Sequence, residues 1–101
     1  MTELGNLTFE TEIVKESSAT SKPIVLGTAK NTMTLYKDGK DYYLIEWEYE
    51  FPNDSDSDDM ESIGIYTENN TVVDYDGVFE LPKEAIKLLR KHKIRVPRDF
   101  E

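Results

Sequence analysis

An α+β fold is predicted for this chain: an antiparallel, meander-like β-sheet of about four to six strands, with one C-terminal amphipathic helix packed on one face. Three observations predict it. Residues 42–51 alternate without a break, with Tyr43, Ile45, Trp47, Tyr49 and Phe51 on one side and Glu46, Glu48 and Glu50 on the other. That period of two belongs to a strand with one dry and one wet face. Asp38-Gly39 and Asn69-Asn70 punctuate β-rich runs, as hairpin turns do. From Pro82 to His92 the apolar spacing changes to that of a helix.

The 101 residues suit one domain, read as sheet over 7–79, helix over about 82–92 and tail over 94–101. In LTFETEIVK (7–15), Leu7, Phe9 and Ile13 share parity, which predicts a half-buried strand. ESSATSKP (16–23) reads as a loop. Ile24-Val25-Leu26 reads as a short strand that Gly27 ends. Residues 32–51 form the clearest hairpin. A two-residue Asp38-Gly39 loop would set the apolar residues of its two strands on opposite faces. A three-residue loop, Lys37 to Gly39 with Gly39 left-handed, pairs Met33 with Tyr43 and brings Met33 onto the face of Ile45 and Trp47. PNDSDSDDME (52–61) reads as a polar loop, and residues 62–67 and 71–75 as a second hairpin. In that hairpin Ile63 and Ile65 share one face, as do Val73 and Tyr75. Asp76-Gly77 turns the chain toward the helix.

Pro82 is a favoured first-turn residue. Stepping 100° per residue gathers Ala85, Ile86, Leu88, Leu89 and His92 into an arc of about 160°, opposite Lys83, Glu84, Lys87, Arg90 and Lys91. Continuing past His92 would set Lys93 inside the apolar arc, so the helix is expected to stop there. Ile94 would then fold back on Leu89 in a Schellman-type end lacking its usual glycine. Val96-Pro97 leave as an extended tail.

Charge is segregated. Residues 1–40 balance five acids with five bases; residues 41–82 hold thirteen acids and no Lys or Arg; residues 83–101 hold three acids and seven bases. The net charge is −9. Such a field repels nucleic acid and attracts basic surfaces, so a nucleic-acid partner is not expected despite the basic run Lys83, Lys87, Arg90, Lys91, Lys93, Arg95 and Arg98. No cysteine is present, which excludes disulfides, thiolate metal sites and a Cys nucleophile. The N-terminal residues lack a secretory apolar core, no stretch approaches the ~20 apolar residues of a membrane span, and a cytoplasmic setting is expected.

Candidate chemistry is sparse. Asp54, Asp56 and Asp58 have the alternating spacing that opens a calcium loop, but Asp59 and Ile65 stand where that loop needs Gly and Glu. They are weak metal candidates, and no metal or other cofactor is expected. Glu46, Glu48 and Glu50 form a carboxylate row at ~6.5–7 Å spacing, without a sign of the cleft that acid–base catalysis needs. His92, the only histidine, fits a packed or capping role better than that of a base. Motifs for phosphate, dinucleotide, zinc-protease or serine-hydrolase chemistry are absent. With Tyr36 and Tyr42 beside the Glu row, the expectation is a non-enzymatic protein-interaction module, such as an inhibitor or neutraliser, whose face of Tyr36, Tyr42, Glu46, Glu48 and Glu50 meets a basic protein surface. The alternatives are a structural homodimer formed through an exposed sheet edge or the aromatic face, and a weak divalent-cation-binding or carboxylate-dependent protein using the acidic loop 54–61.

Overall fold

The computed structural model describes residues 1–15, 24–50 and 59–101. Five strands run in chain order through one antiparallel sheet: β1 (Thr2–Lys15), β2 (Ile24–Lys37), β3 (Tyr42–Glu50), β4 (Asp59–Glu68) and β5 (Thr71–Asp76). The helix α1 (Lys83–Lys91) follows, then a 3-10 turn at Arg98–Phe100. The architecture is the expected α+β meander, with α1 against β1 and β2.

The β2–β3 hairpin keeps the expected face and changes the expected register. Met33 pairs with Trp47, Leu35 with Ile45 and Lys37 with Tyr43. The turn is longer than three residues, closed by the Asp38 N–H donating to the Tyr42 carbonyl at 3.0 Å. Gly39 takes the left-handed conformation, φ +104°. The difference from the expected pairing is an even number of residues, so every side chain stays on its expected face.

The first two strands are longer than the sequence suggested. β1 begins at Thr2 rather than 7, and β2 runs unbroken through Gly27. That glycine marks a register shift, opposite Ile13, instead of a strand end; an interior glycine is well suited to such a bulge. The β4–β5 hairpin is corrected too. Asn69 and Asn70 both have positive φ, 53° and 60°, as a tight two-residue turn requires. A register shift follows where Tyr66 pairs with Asp74 and Thr67 with Val72. Val73 is the extra residue and stays exposed, while Val72 is buried. Met60 and Glu61, read as loop, belong to β4. The loop at 16–23, Phe51 and the candidates Asp54, Asp56 and Asp58 lie outside the described residues.

The core lies on one face of the sheet. Met33, Leu35, Ile45, Ile63 and Ile65 are fully buried beneath Leu88, Leu89 and Ile94, each contributing about 1.5–3 kcal/mol by burial. Ala85 and Ile86 complete the predicted apolar arc of α1. Pro82 is the cap rather than the first helical residue; its carbonyl accepts from Ile86 at 3.1 Å. The C-terminal end is the anticipated Schellman motif. Ile94 N–H donates to the Leu89 carbonyl at 3.0 Å and Lys93 N–H to the Arg90 carbonyl at 3.1 Å, with Lys93 left-handed at φ +64°. Beyond it the tail is not free. Arg95 forms a parallel bridge with Thr71, with Arg95 N–H donating to the Asn70 carbonyl at 2.8 Å and Val72 N–H to the Arg95 carbonyl at 2.9 Å. This buries Val96 and covers the outer edge of β5 at its Thr71–Val72 end.

Candidate functional site

Strand alternation and register place the predicted binding residues together on the sheet face opposite α1. Two-residue periodicity sends Tyr36, Tyr42, Glu46, Glu48 and Glu50 to that side because Leu35, Tyr43 and Ile45 are drawn into the core. Cross-strand rows can be read directly. Glu3, Tyr36, Leu44, Gly64 and Asp76 form one, Asn6, Thr34, Glu46 and Ser62 the next, and Thr8, Thr32, Glu48 and Met60 a third. Glu10, Lys30 and Glu50 follow, and Tyr42, Tyr66 and Asp74 flank the other side. The face is thus a carboxylate field with Thr and Tyr between the charges and, among the described residues, Lys30 as the cation in its rows.

The tyrosines are held, not loose. Tyr42 and Tyr66 meet at 5.1 Å between ring centroids with a 56° tilt, a favourable edge-like geometry. Tyr42 also lies across Gly64, where a Cβ would sit 2.8 Å from its hydroxyl oxygen; the glycine leaves the space the ring fills. Desolvation raises the Tyr42 hydroxyl above its usual 10.0, assisted by Tyr66, Asp38 and Asp76. The Tyr36 hydroxyl is raised as well, first by desolvation, then by the charges of Glu46 and Glu3, and it donates a hydrogen bond to Glu46. Both phenols therefore hold their protons to higher pH than an unperturbed tyrosine. Tyr36, Tyr42, Glu46 and Glu48 are half-buried and Glu50 is exposed.

Sequence reasoning missed further contributors. Glu3 and Glu10 join this face from β1, Asp74 and Asp76 join it from β5, and Tyr66 completes the tyrosine pair. The shared parity of Gly64 and Tyr66 in β4 carried that signal; the bulge at Val73 hid it for the aspartates.

The opposite side carries the basic charge. A groove of about 410 Å³ has a floor of Leu81 and Ile86 and a rim of Lys83, Lys87, Arg90 and Glu101. Arg90 forms an ion pair with Glu101 and donates to the Val96 carbonyl at 3.0 Å, tying the tail to the helix. His92 has a structural position, as anticipated: it caps the helix and lies over Gly5, where a Cβ would approach its Nε2 to 2.4 Å. Farther along the core face, beyond the helix, the side-chain amide of Asn31 is fully buried. It accepts from Trp47 Nε1 at 2.9 Å and donates to Thr11 Oγ1 at 3.0 Å and the Ala29 carbonyl at 3.1 Å. Among the described residues no group of His, Asp or Glu is arranged to hold a metal, and no helix is long and apolar enough to cross a membrane.

Comparison of the chain with protein-family models, with curated proteins and with solved structures finds no match in any of the three.

Proposed function

We propose that this chain is a non-enzymatic cytoplasmic interaction module whose open sheet face binds a basic protein surface, with inhibition or neutralisation of that partner as the outcome. The observation that carries the reading is the composition of the face: Glu3, Glu46, Glu48, Glu50, Asp74 and Asp76 surround Tyr36, Tyr42 and Tyr66 on a rigid sheet. Clustered carboxylates steer a cationic partner and fix its orientation. Tyrosines supply contact area at low entropic cost, and raised phenols keep their protons for donation. A nucleic-acid partner is disfavoured because phosphate would meet the same carboxylates.

The test is amide and tyrosine-ring NMR during titration with poly-L-lysine at about 0.1 M and about 1 M salt, over which the Debye length falls from ~10 Å to ~3 Å. Shifts concentrated on Tyr36, Tyr42, Glu46 and Glu48, and abolished at high salt, are expected. Shifts spread over every acidic residue, Glu80, Glu84 and Asp99 included, would defeat the proposal.

A further inference from the structure

The two edges of the sheet are treated differently. The outer edge of β5 is covered at its Thr71–Val72 end by the segment around Arg95. The outer edge of β1 has no pairing segment among the described residues. Natural edges are protected by charged side chains, by Pro, by bulges or by charges that point inward. Between Gly5 and Thr11, β1 has of these only the charge of Glu10 on its open face: it holds no Pro, its bulges fall outside that stretch, and its core-side residues there are Gly5, Leu7, Phe9 and Thr11. Leu7 and Phe9 pack only partly into the core. Beside them lies a groove of about 490 Å³ lined by Leu7, Thr8, Phe9, Lys83, Glu84 and Lys87. That is where the inward side chains of one more strand would go.

We infer that the outer edge of β1 is a self-pairing site, at which a second copy of this chain adds its own β1 antiparallel about a two-fold axis at Thr8. The sequence of the strand is self-complementary in that register. Each Leu7 meets the other copy's Phe9, so the groove is filled from both sides by the residues that line it. On the open face Glu10 falls opposite Asn6, and no carboxylate meets another. Moving the axis to residue 10 or 11 sets Glu10 against Glu10 or Glu12, a like-charge pairing that destabilises a ladder. Moving it to Leu7 brings Phe9 to Gly5, where His92 already lies. Moving it to Phe9 leaves Leu7 opposite Thr11.

The helices permit the pairing. α1 touches β1 and β2, so its axis lies near their midline. With strands ~4.8 Å apart, the other copy's midline falls about 10 Å away, the distance at which helices pack. The two-fold runs the helices antiparallel and brings Lys83, Glu84 and Lys87 of both copies to the seam, four cations with two anions. Both acidic faces then lie on the same side of a continuous ten-stranded sheet, an isologous assembly.

Sedimentation equilibrium over a range of protein concentrations tests this. The mass should rise from 11.7 kDa to twice that, and salt should strengthen the dimer, because each copy carries −9. Binding of a basic partner to the acidic face responds to salt in the opposite direction, so the two proposals fail separately. Thr8 is exposed, so T8E and T8K should fold, with melting temperatures near that of the parent. Each alone apposes like charges at the axis and should raise the dimer Kd about fivefold or more, while an equal mixture of the two should recover dimer as the mixed pair. A parent chain that stays monomeric at its solubility limit, or a dimer indifferent to both substitutions and to their mixing, would overturn the inference.

Discussion

Asn31→Leu is the most informative single substitution in the core. Asn31 is fully buried, and its amide joins three elements: it accepts from the Trp47 indole at 2.9 Å, donates to Thr11 of β1 at 3.0 Å and satisfies the Ala29 carbonyl at 3.1 Å. Leucine has similar size but returns none of these bonds. Three hydrogen bonds at about 1 kcal/mol net each would be lost, and the apolar side chain restores roughly 1 kcal/mol by burial. The expected loss is therefore about 2 kcal/mol. For a domain of this length that corresponds to a fall in Tm of about 10 °C. Urea unfolding followed by the fluorescence of Trp47, the only tryptophan, reads both the stability and the local environment. In the parent the indole is half-buried and hydrogen-bonded; in the variant its N–H turns to water and the emission should shift to the red. A cycle with Trp47→Phe should give a coupling of about 1 kcal/mol, because removing both partners together leaves neither orphaned. A variant as stable as the parent, or a coupling near zero, would refute the network as a stabilising device.

Other substitutions follow from the backbone and from titration. Lys93→Gly relieves a left-handed non-glycine residue at φ +64° and should stabilise by about 0.5–1 kcal/mol in thermal melts, the strain removed exceeding the added unfolded-state entropy. Gly5→Ala drives a Cβ to 2.4 Å from His92 Nε2 and should lower Tm, with His92→Ala restoring much of the loss in the double variant. Tyr36 and Tyr42 have folded-state pKa values raised above 10.0, so the folded chain holds protons that the unfolded chain releases. Their contribution to stability is present below pH 10 and declines as pH rises through the folded-state values. Tyrosinate absorbance should show two phenols titrating late, and chemical unfolding should become easier over the same interval.

Much of this architecture was legible because the physical signals were local. The strict alternation from Tyr43 to Glu50 fixed which residues face water, and the register of the β2–β3 hairpin could move without disturbing it. The helix end was readable from Lys93, whose place in the apolar arc makes continuation unfavourable, and from Ile94, which needs a partner such as Leu89. What could not be read depended on contacts distant in sequence. Gly27 looked like a terminator because a glycine bulge and a glycine turn share one residue; pairing of Ile13 with Gly27 separates them. Val73 and Tyr75 read as one face because simple alternation does not register the bulge, at which Val73 is the extra residue. The polar Asn31 gave no sign of burial, since its partners Thr11 and Trp47 come from other strands. Of the candidate face, Tyr36, Tyr42 and the Glu row were visible as one strand pair, whereas Glu3, Glu10, Asp74, Asp76 and Tyr66 join only when β1, β4 and β5 complete the sheet. The tail shows the same limit: Val96 reads as extended, and its docking beside β5 depends on Asn70 and Val72.

The central claim is that charge is arranged on one face, not merely carried in excess. Its most direct measurement compares two triple variants with equal net charge, E46Q/E48Q/E50Q and E80Q/E84Q/D99N, by calorimetric titration with poly-L-lysine at low salt. Neutralising three interacting carboxylates at about 0.5 kcal/mol each should weaken binding about tenfold. That loss is expected for the first variant and a change of less than twofold for the second. Equal weakening in both would show that net charge alone attracts the polycation, and would contradict a binding role for this face.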